Sequence, residues 1–234
     1  MIRLIPIHIP GNIKSGDNLG EIITEAVAKN NQEILNGDII VVAQKIVSKA
    51  EGRIVEISTI KPSTEALRLA HEHKKDPRLA EVILQESTRI VRERSGVVIT
   101  ETKHGFICAN SGVDQSNIEG EGIAVLLPGD PDRSASRIQD ELENETGKKI
   151  AVIITDTFGR PFRIGQTNIA IGLSGMKPIK SYIGGKDMYG KTLRVTEIAI
   201  ADEVASAAEL VMGKTDRVPA AIVRGYAFEE SLGS

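Results

Sequence analysis

The sequence predicts an α+β fold of mixed sheets with packed helices, and two observations lead there. Strand-like and helix-like segments alternate irregularly, and several strands follow one another with no helix between, which a doubly wound parallel sheet does not produce. No G-x-G-x-x-G follows a strand. The triplet Gly213-Lys214-Thr215 has Ala208 where a P-loop needs its first glycine, so neither a Rossmann nor a P-loop arrangement is expected. Residues 1–234 are expected to form one domain of two intertwined α+β lobes, with soft boundaries near Pro62 or Pro128.

Residues 2–9 alternate and end at Pro10-Gly11, the pattern of a strand entering a turn. Asp17 is placed to cap a helix whose apolar positions are Leu19, Ile22, Ile23, Ala26 and Val27. The turn Asn36-Gly37-Asp38 leads into a buried strand over 39–43, and the polar stretch 44–52 connects it to a further strand at 53–57. Helices are expected after Pro62 and after Pro77, the second carrying a stripe through Leu79, Val82, Ile83, Ile90 and Val91. Strands at 97–100, 106–109 and 123–127 precede the turn Pro128-Gly129-Asp130-Pro131. A helix over 133–146 closes at Gly147. The run 151–154 is the most strand-like in the chain and stops at Thr155-Asp156-Thr157. A glycine-rich stretch without helical period covers 159–190, a helix covers 195–212, and a last strand covers 220–223.

Composition narrows the function. A net charge of −3 lacks the basic footprint of a phosphate-backbone binder, and four Phe, three Tyr and no Trp leave little for stacking on single strands. No nucleic-acid partner is expected. The single cysteine, Cys108, cannot form an intrachain disulfide and reads as a small buried hydrophobe. Neither a signal peptide nor an apolar run of membrane-spanning length is visible, so the expected location is cytoplasmic, away from membranes.

Two segments share one design, a buried strand that stops at a carboxylate beside glycine: Asp114 in 106–117 and Asp156 in 152–163. Hard divalent cations take one or two carboxylates plus substrate phosphates, and Thr157 adds a hydroxyl, but each Asp equally suits a turn cap. Arg160 and Arg163 suit phosphate or carboxylate, or a surface ion pair. Lys45 and Lys49 follow a buried strand and reach either phosphates or solvent. His71 and His73, two apart on a helix beside Lys74 and Lys75, look like a solvated face. Ser111 has no evident histidine partner.

Five segments in order go further than spacing: Ala109-Asn-Ser-Gly-Val-Asp114-Gln-Ser-Asn117, Thr155-Asp-Thr-Phe-Gly-Arg160-Pro-Phe-Arg163-Ile-Gly165, Gly185-Lys-Asp187-Met-Tyr189-Gly190, Ala201-Asp-Glu203 and Val211-Met-Gly213. Together they closely resemble the coenzyme F420-0:γ-glutamyl ligase family, nearly end to end. The resemblance implies that family's own α+β fold and a GTP-dependent amide ligase. Such an enzyme adds L-glutamate to the deazaflavin F420-0, and then to F420-1, through an acyl phosphate. It further implies a homodimer, with Mn²⁺ or Mg²⁺ as two ions, and K⁺.

Carried over by position, Asp114 and Asp156 look like metal ligands with Thr157 beside a second ion, and Asn117 would contact nucleotide. Asp114, Asp156, Arg160 and Arg163 make up the catalytic set. Guanine-nucleotide segments fall at His8, Ile9, Pro10 and Gly11, at Gln44, Lys45 and Lys49, and at Met212, Gly213, Lys214, Thr215, Asp216, Arg217, Val218 and Pro219. Three departures stand out. Lys214 occupies a position where relatives carry a Glu ligand, and a charged ammonium cannot ligate a metal. Either fewer protein groups hold the second ion, or Asp216 substitutes, or Lys214 contacts phosphate. Gln44-Lys45 stands in place of small hydroxyl residues, and the first turn aligns with a one-residue shift. The rival readings are a same-fold ligase for another carboxylate acceptor, a non-catalytic guanine-nucleotide-binding protein and a metal-dependent phosphohydrolase.

Overall fold

The structure, a computed structural model, describes residues 1–94, 96–116, 120 and 122–231. In chain order its elements are β1 (Arg3–Ile7), α1 (Leu19–Lys29), β2 (Ile39–Ala43), α2 (Gln44–Ala50), β3 (Ile54–Glu56), α3 (Thr64–His73), α4 (Pro77–Gln85), β4 (Ser87–Arg94), β5 (Val97–Thr102) and β6 (Ile107–Ala109). They continue with β7 (Ile123–Val125), α5 (Pro131–Thr146), β8 (Ala151–Gly159), β9 (Gln166–Ser174), β10 (Lys180–Ser181), β11 (Glu197–Ile198), α6 (Ile200–Met212) and β12 (Ala220–Arg224). The expected α+β class with mixed sheets holds.

A five-stranded sheet in the order β1-β12-β2-β8-β9 forms the centre. Its β2–β8 pair is parallel and its other pairs are antiparallel. Residues 39–42 and 151–154 are wholly buried, because helices cover both faces of these strands. Alternation sorts the side chains. Ile40, Val42, Val152 and Ile154 pack with α1, α2 and α5, while Ile39, Val41, Ala151 and Ile153 pack with α6. Smaller sheets, β3-β7 and β4-β5-β6, lie outside this centre, the second packed on α3 and α4 through Leu69, Ala80 and Val98. At the far end of the central sheet the Arg224 fork donates to both oxygens of buried Asp38, at 2.8 and 2.7 Å.

Several local expectations are corrected. The cap of α1 is Asn18, which accepts from the Glu21 backbone N–H, while Asp17 accepts from that of Lys14. The stretch 44–52 is polar by composition yet begins as helix α2, because Ile46, Val47 and Ala50 share one buried side. Helix α4 stops at Gln85, and Ile90 and Val91 lie in β4, so their spacing matched a helical stripe by coincidence. Strand β8 runs past 154 through Asp156 and Thr157 to Gly159, because β9 pairs with it along that length. The region 159–190 therefore contains a full strand, and α6 begins at Ile200 rather than at 195.

Gly172 of β9 passes directly over the start of α5, where an added Cβ would meet the Pro131 carbonyl carbon and oxygen at 2.4 Å. Gly172→Ala is expected to destabilise the protein by about 1–3 kcal/mol through overpacking. A lowered urea midpoint would show this, and an unchanged midpoint would contradict it.

Candidate active site

Strand register brings distant segments to one end of the sheet. Strands β1, β2 and β8 run in the same direction, and Ile7, Ala220 and Val42 stand side by side in adjacent strands, with Ala43 opposite Thr155. The residues that follow β1, β2 and β8, and those that precede β12, must then emerge together. Ligand sites of open sheets lie outside the carboxyl ends of their strands for this reason. The Ala43 N–H donates to the Pro219 carbonyl at 2.8 Å and ties two of these segments directly. Because β2 ends opposite Thr155 while β8 continues to Gly159, Asp156 and Thr157 are the first residues of β8 without a β2 partner. They border a notch between the β8–β9 hairpin and the start of α2.

Asp114 enters this end from the loop after β6. Its backbone is fixed by paired hydrogen bonds with Val125 of β7, at 3.0 and 2.8 Å. Its carboxylate accepts from the Ser116 N–H at 2.7 Å and hydroxyl at 2.9 Å, and pairs with the Lys45 ammonium at 2.7 Å. Lys45 also donates to the Ser116 carbonyl at 2.7 Å. Burial would raise the Asp114 pKa, but the Lys45 ammonium and the Ser116 donors outweigh it and hold the pKa below the usual range. Asp156 behaves in the opposite way. Burial pushes its carboxyl up to about 6, and the Asp114 charge adds to this against the Thr157 backbone N–H and the more distant Lys214 and Lys45 ammoniums.

This is a carboxylate pair short of positive charge, in which Lys45 satisfies one member and the other stays undercompensated. Hard oxygen donors with unmet negative charge fit a divalent cation. Thr157 belongs to the other face of β8, with Ala151 and Ile153, whereas Asp156 shares the face of Val152, Ile154 and Phe158. The Thr157 hydroxyl donates to Asn168 Oδ1 at 2.6 Å and accepts from the Lys214 ammonium. Among the described residues, a cluster of metal-binding size occurs elsewhere, at Glu72, His73 and Glu93. The Arg68 guanidinium already bridges its carboxylates, at 2.7 Å to Glu72 and 3.0 Å to Glu93. His73 is therefore buried inside an ion-pair network and is not part of a solvated face.

The segments expected to hold nucleotide divide clearly. His8, Ile9 and Pro10 line a cleft of about 360 Å³ with Asp216 and Arg217, and the end of α1 adds Lys29 and Asn30. No motif marks those last two residues; only the approach of α1 to the β1 turn recruits them. Gly11 lies beside this cleft in the same turn. Within 212–219, Met212 and Val218 are core residues, while Lys214, Thr215, Asp216 and Arg217 are exposed ahead of Pro219. Gly213 is required where it stands by its backbone, with φ +58° and ψ −164°, a region essentially confined to glycine. Gln44 is buried and accepts from the Ser48 hydroxyl at 2.9 Å, so it braces α2. Lys49 lies one helical turn beyond Lys45 and is half-buried.

Asn117 falls outside the described residues. Arg160 turns back on its own hairpin loop and donates to the Ile164 and Gly165 carbonyls, while Arg163 is exposed. Among the described residues, neither arginine forms an ion pair with Asp114 or Asp156. Cys108 is buried, and burial pushes its thiol up to about 12, so it stays protonated near neutral pH. Among the described residues, no helix is long and apolar enough to cross a membrane.

The family model described as F420-0:Gamma-glutamyl ligase matches residues 7–225, a span that holds every segment gathered at this end of the sheet. The chain belongs to that ligase family. It is 48% identical to the coenzyme F420:L-glutamate ligase of Methanothermobacter thermautotrophicus, over 96% of this chain and 89% of that one. Identity to the enzyme of the same name from Methanocaldococcus jannaschii is 47%, over 96% and 88% of the two chains. For that of Methanopyrus kandleri it is 44%, over 96% and 87%.

The raised pKa of Asp156 has a consequence for stability. The folded-state value lies above the ordinary 3.8, so the associated stabilisation is complete below about pH 4 and is lost as pH rises through about 6. Asp156→Asn removes that loss. Without metal, the variant is expected to be more stable than wild type by about 1–3 kcal/mol at pH 8 and equally stable at pH 4, read by urea denaturation.

Proposed function

We propose that this chain is a GTP-dependent ligase that joins L-glutamate to the terminal carboxylate of coenzyme F420-0, and then to F420-1. The observation that carries this reading is the undercompensated pair Asp114 and Asp156 with Lys45, at the strand ends that the nucleotide segments share. A carboxylate is a poor electrophile. In the proposed reaction its oxygen attacks the γ-phosphorus of GTP, the bond to the β-phosphate oxygen breaks, and GDP leaves. The glutamate α-amine, having shed one proton, attacks the acyl carbon. The carbon–oxygen bond to phosphate breaks, and the nitrogen loses a second proton as the amide forms, one of the two being taken up by phosphate.

Asp114 and Asp156 would hold one Mn²⁺ or Mg²⁺, which supplies neutralisation of charge on the transferring phosphoryl group. The donor chemistry suits no second divalent ion at Thr157, whose hydroxyl is engaged by the Lys214 ammonium. Lys45 anchors Asp114 in its ionised form and brings positive charge to the phosphate side of the site. The cleft of His8, Ile9, Pro10, Asp216 and Arg217 takes the nucleoside, with Arg217 and Lys29 as its cations. Support for the homodimer comes from Phe162, Ile164, Met188, Tyr189 and Val195, large apolar side chains that stand almost wholly exposed.

Incubation with F420-0, GTP, Mn²⁺ and L-glutamate should give successive mass increments of one glutamyl unit. Asp114→Asn and Asp156→Asn should each lower kcat about a hundredfold or more, the second without lowering Tm. GTP binding with no glutamate-dependent phosphate release would instead favour a nucleotide-binding protein. Phosphate release that ignores glutamate would favour a phosphohydrolase.

A further inference from the structure

On the face of β8 and β9 that carries Thr157, a second cleft of about 400 Å³ opens between the hairpin and α6. That volume lies at the small end of the range for small-molecule sites, roughly 300–1,000 Å³. Hydroxyl and amide groups of Thr157, Gln166, Thr167, Asn168 and Ser206 line it together with the Leu210 side chain. Several are held in place: the Ser206 hydroxyl donates to the Asn168 carbonyl at 2.7 Å and lies 3.0 Å from Thr167 Oγ1. Two opposite charges complete the lining, Glu209 from α6 and Lys214 from just beyond its end. Glu209 Oε1 and Lys214 Nζ form a loose ion pair at 3.9 Å, and the Lys214 ammonium also donates to the Thr157 hydroxyl.

This charge pattern selects a class of ligand. A phosphate group would meet the Glu209 carboxylate, and a divalent cation would meet the Lys214 ammonium, so neither suits the cleft. A molecule carrying an ammonium and a carboxylate on a short frame satisfies both charges and the neutral donors between them. We infer that this cleft binds the amino-acid substrate, with Glu209 receiving the α-ammonium of L-glutamate and Lys214 receiving a carboxylate. The inference rests on the ligase reading above. Thr157, on one wall, immediately follows Asp156 where β8 leaves β2 behind, so the cleft borders the notch at which the acyl group would be activated.

The test is Glu209→Gln, which keeps shape and removes charge. Losing a charge-assisted contact should raise the KM for L-glutamate at least about tenfold, while the KM for GTP and the Tm stay unchanged. Calorimetric titration of L-glutamate into the protein with GDP should show the same loss of affinity without any turnover. Glutarate, which lacks the ammonium, should lose no affinity for the variant. A glutamate KM within twofold of wild type, or an equal rise in both KM values, would overturn the assignment. If wild type transfers no glutamate, the ligase reading itself fails, and the calorimetric comparison still decides whether Glu209 holds an amino acid.

Discussion

Parallel pairing of β2 with β8 is the constraint on which the rest of this molecule depends. Residues 39–42 and 151–154, where the two strands pair, are buried on both faces, so they must be apolar, and helices must cover each side. Parallel strands present their carboxyl ends together, and this pair does so with unequal lengths. Strand β2 stops opposite Thr155, while β8 continues as half of a hairpin. The shortfall creates the notch and leaves Asp156 and Thr157 half-buried at the end of the sheet, without a β2 partner.

Electrostatics then separates residues that composition makes equivalent. Asp114 and Asp156 are both aspartates at the ends of apolar segments. One is held ionised by Lys45 and Ser116, and the other is driven toward protonation by burial and by its neighbour's charge. Divergent environments of this kind mark sites where a cation or a proton is meant to arrive. Lysines extend the division across the hairpin. Lys45 serves the Asp114 side, and Lys214 serves the Thr157 side, where Glu209 gives the second cleft its mixed sign.

Legibility of the fold followed how local its cause was. Continuous apolar runs located β2 and the first part of β8, an apolar stripe located α1, and the turn before it with Gly147 after it bounded most of α5. Helix α2 escaped notice because Gln44, Lys45, Ser48 and Lys49 dominate its short span, and its buried side has meaning only against the sheet it covers. Ile90 and Val91 continued a helical stripe in number but not in space, because the chain turns after Gln85 to pair β4 with β5. At the site, Asp114, Asp156 and the glycine-bounded segments were visible as motifs, whereas Lys29, Asn30, Asn168, Ser206 and Glu209 carried no signal. Nothing in the local sequence around those five distinguishes a ligand contact from an ordinary surface position.

What the sequence by itself determined is the chemistry available: paired carboxylates after strands, cations close behind them, glycines where backbone crowds, and the ordered motifs of one ligase family. Tertiary structure alone decided which of these groups meet. Asp156 and Thr157 are neighbours in sequence, yet strand alternation turns them to opposite faces, one toward Asp114 and Lys45 and the other toward Lys214 and α6. The helix that covers each face is set by long-range packing of apolar surfaces. Contacts across a sheet are therefore invisible to any local pattern, and the division between the two clefts emerges only when the chain folds.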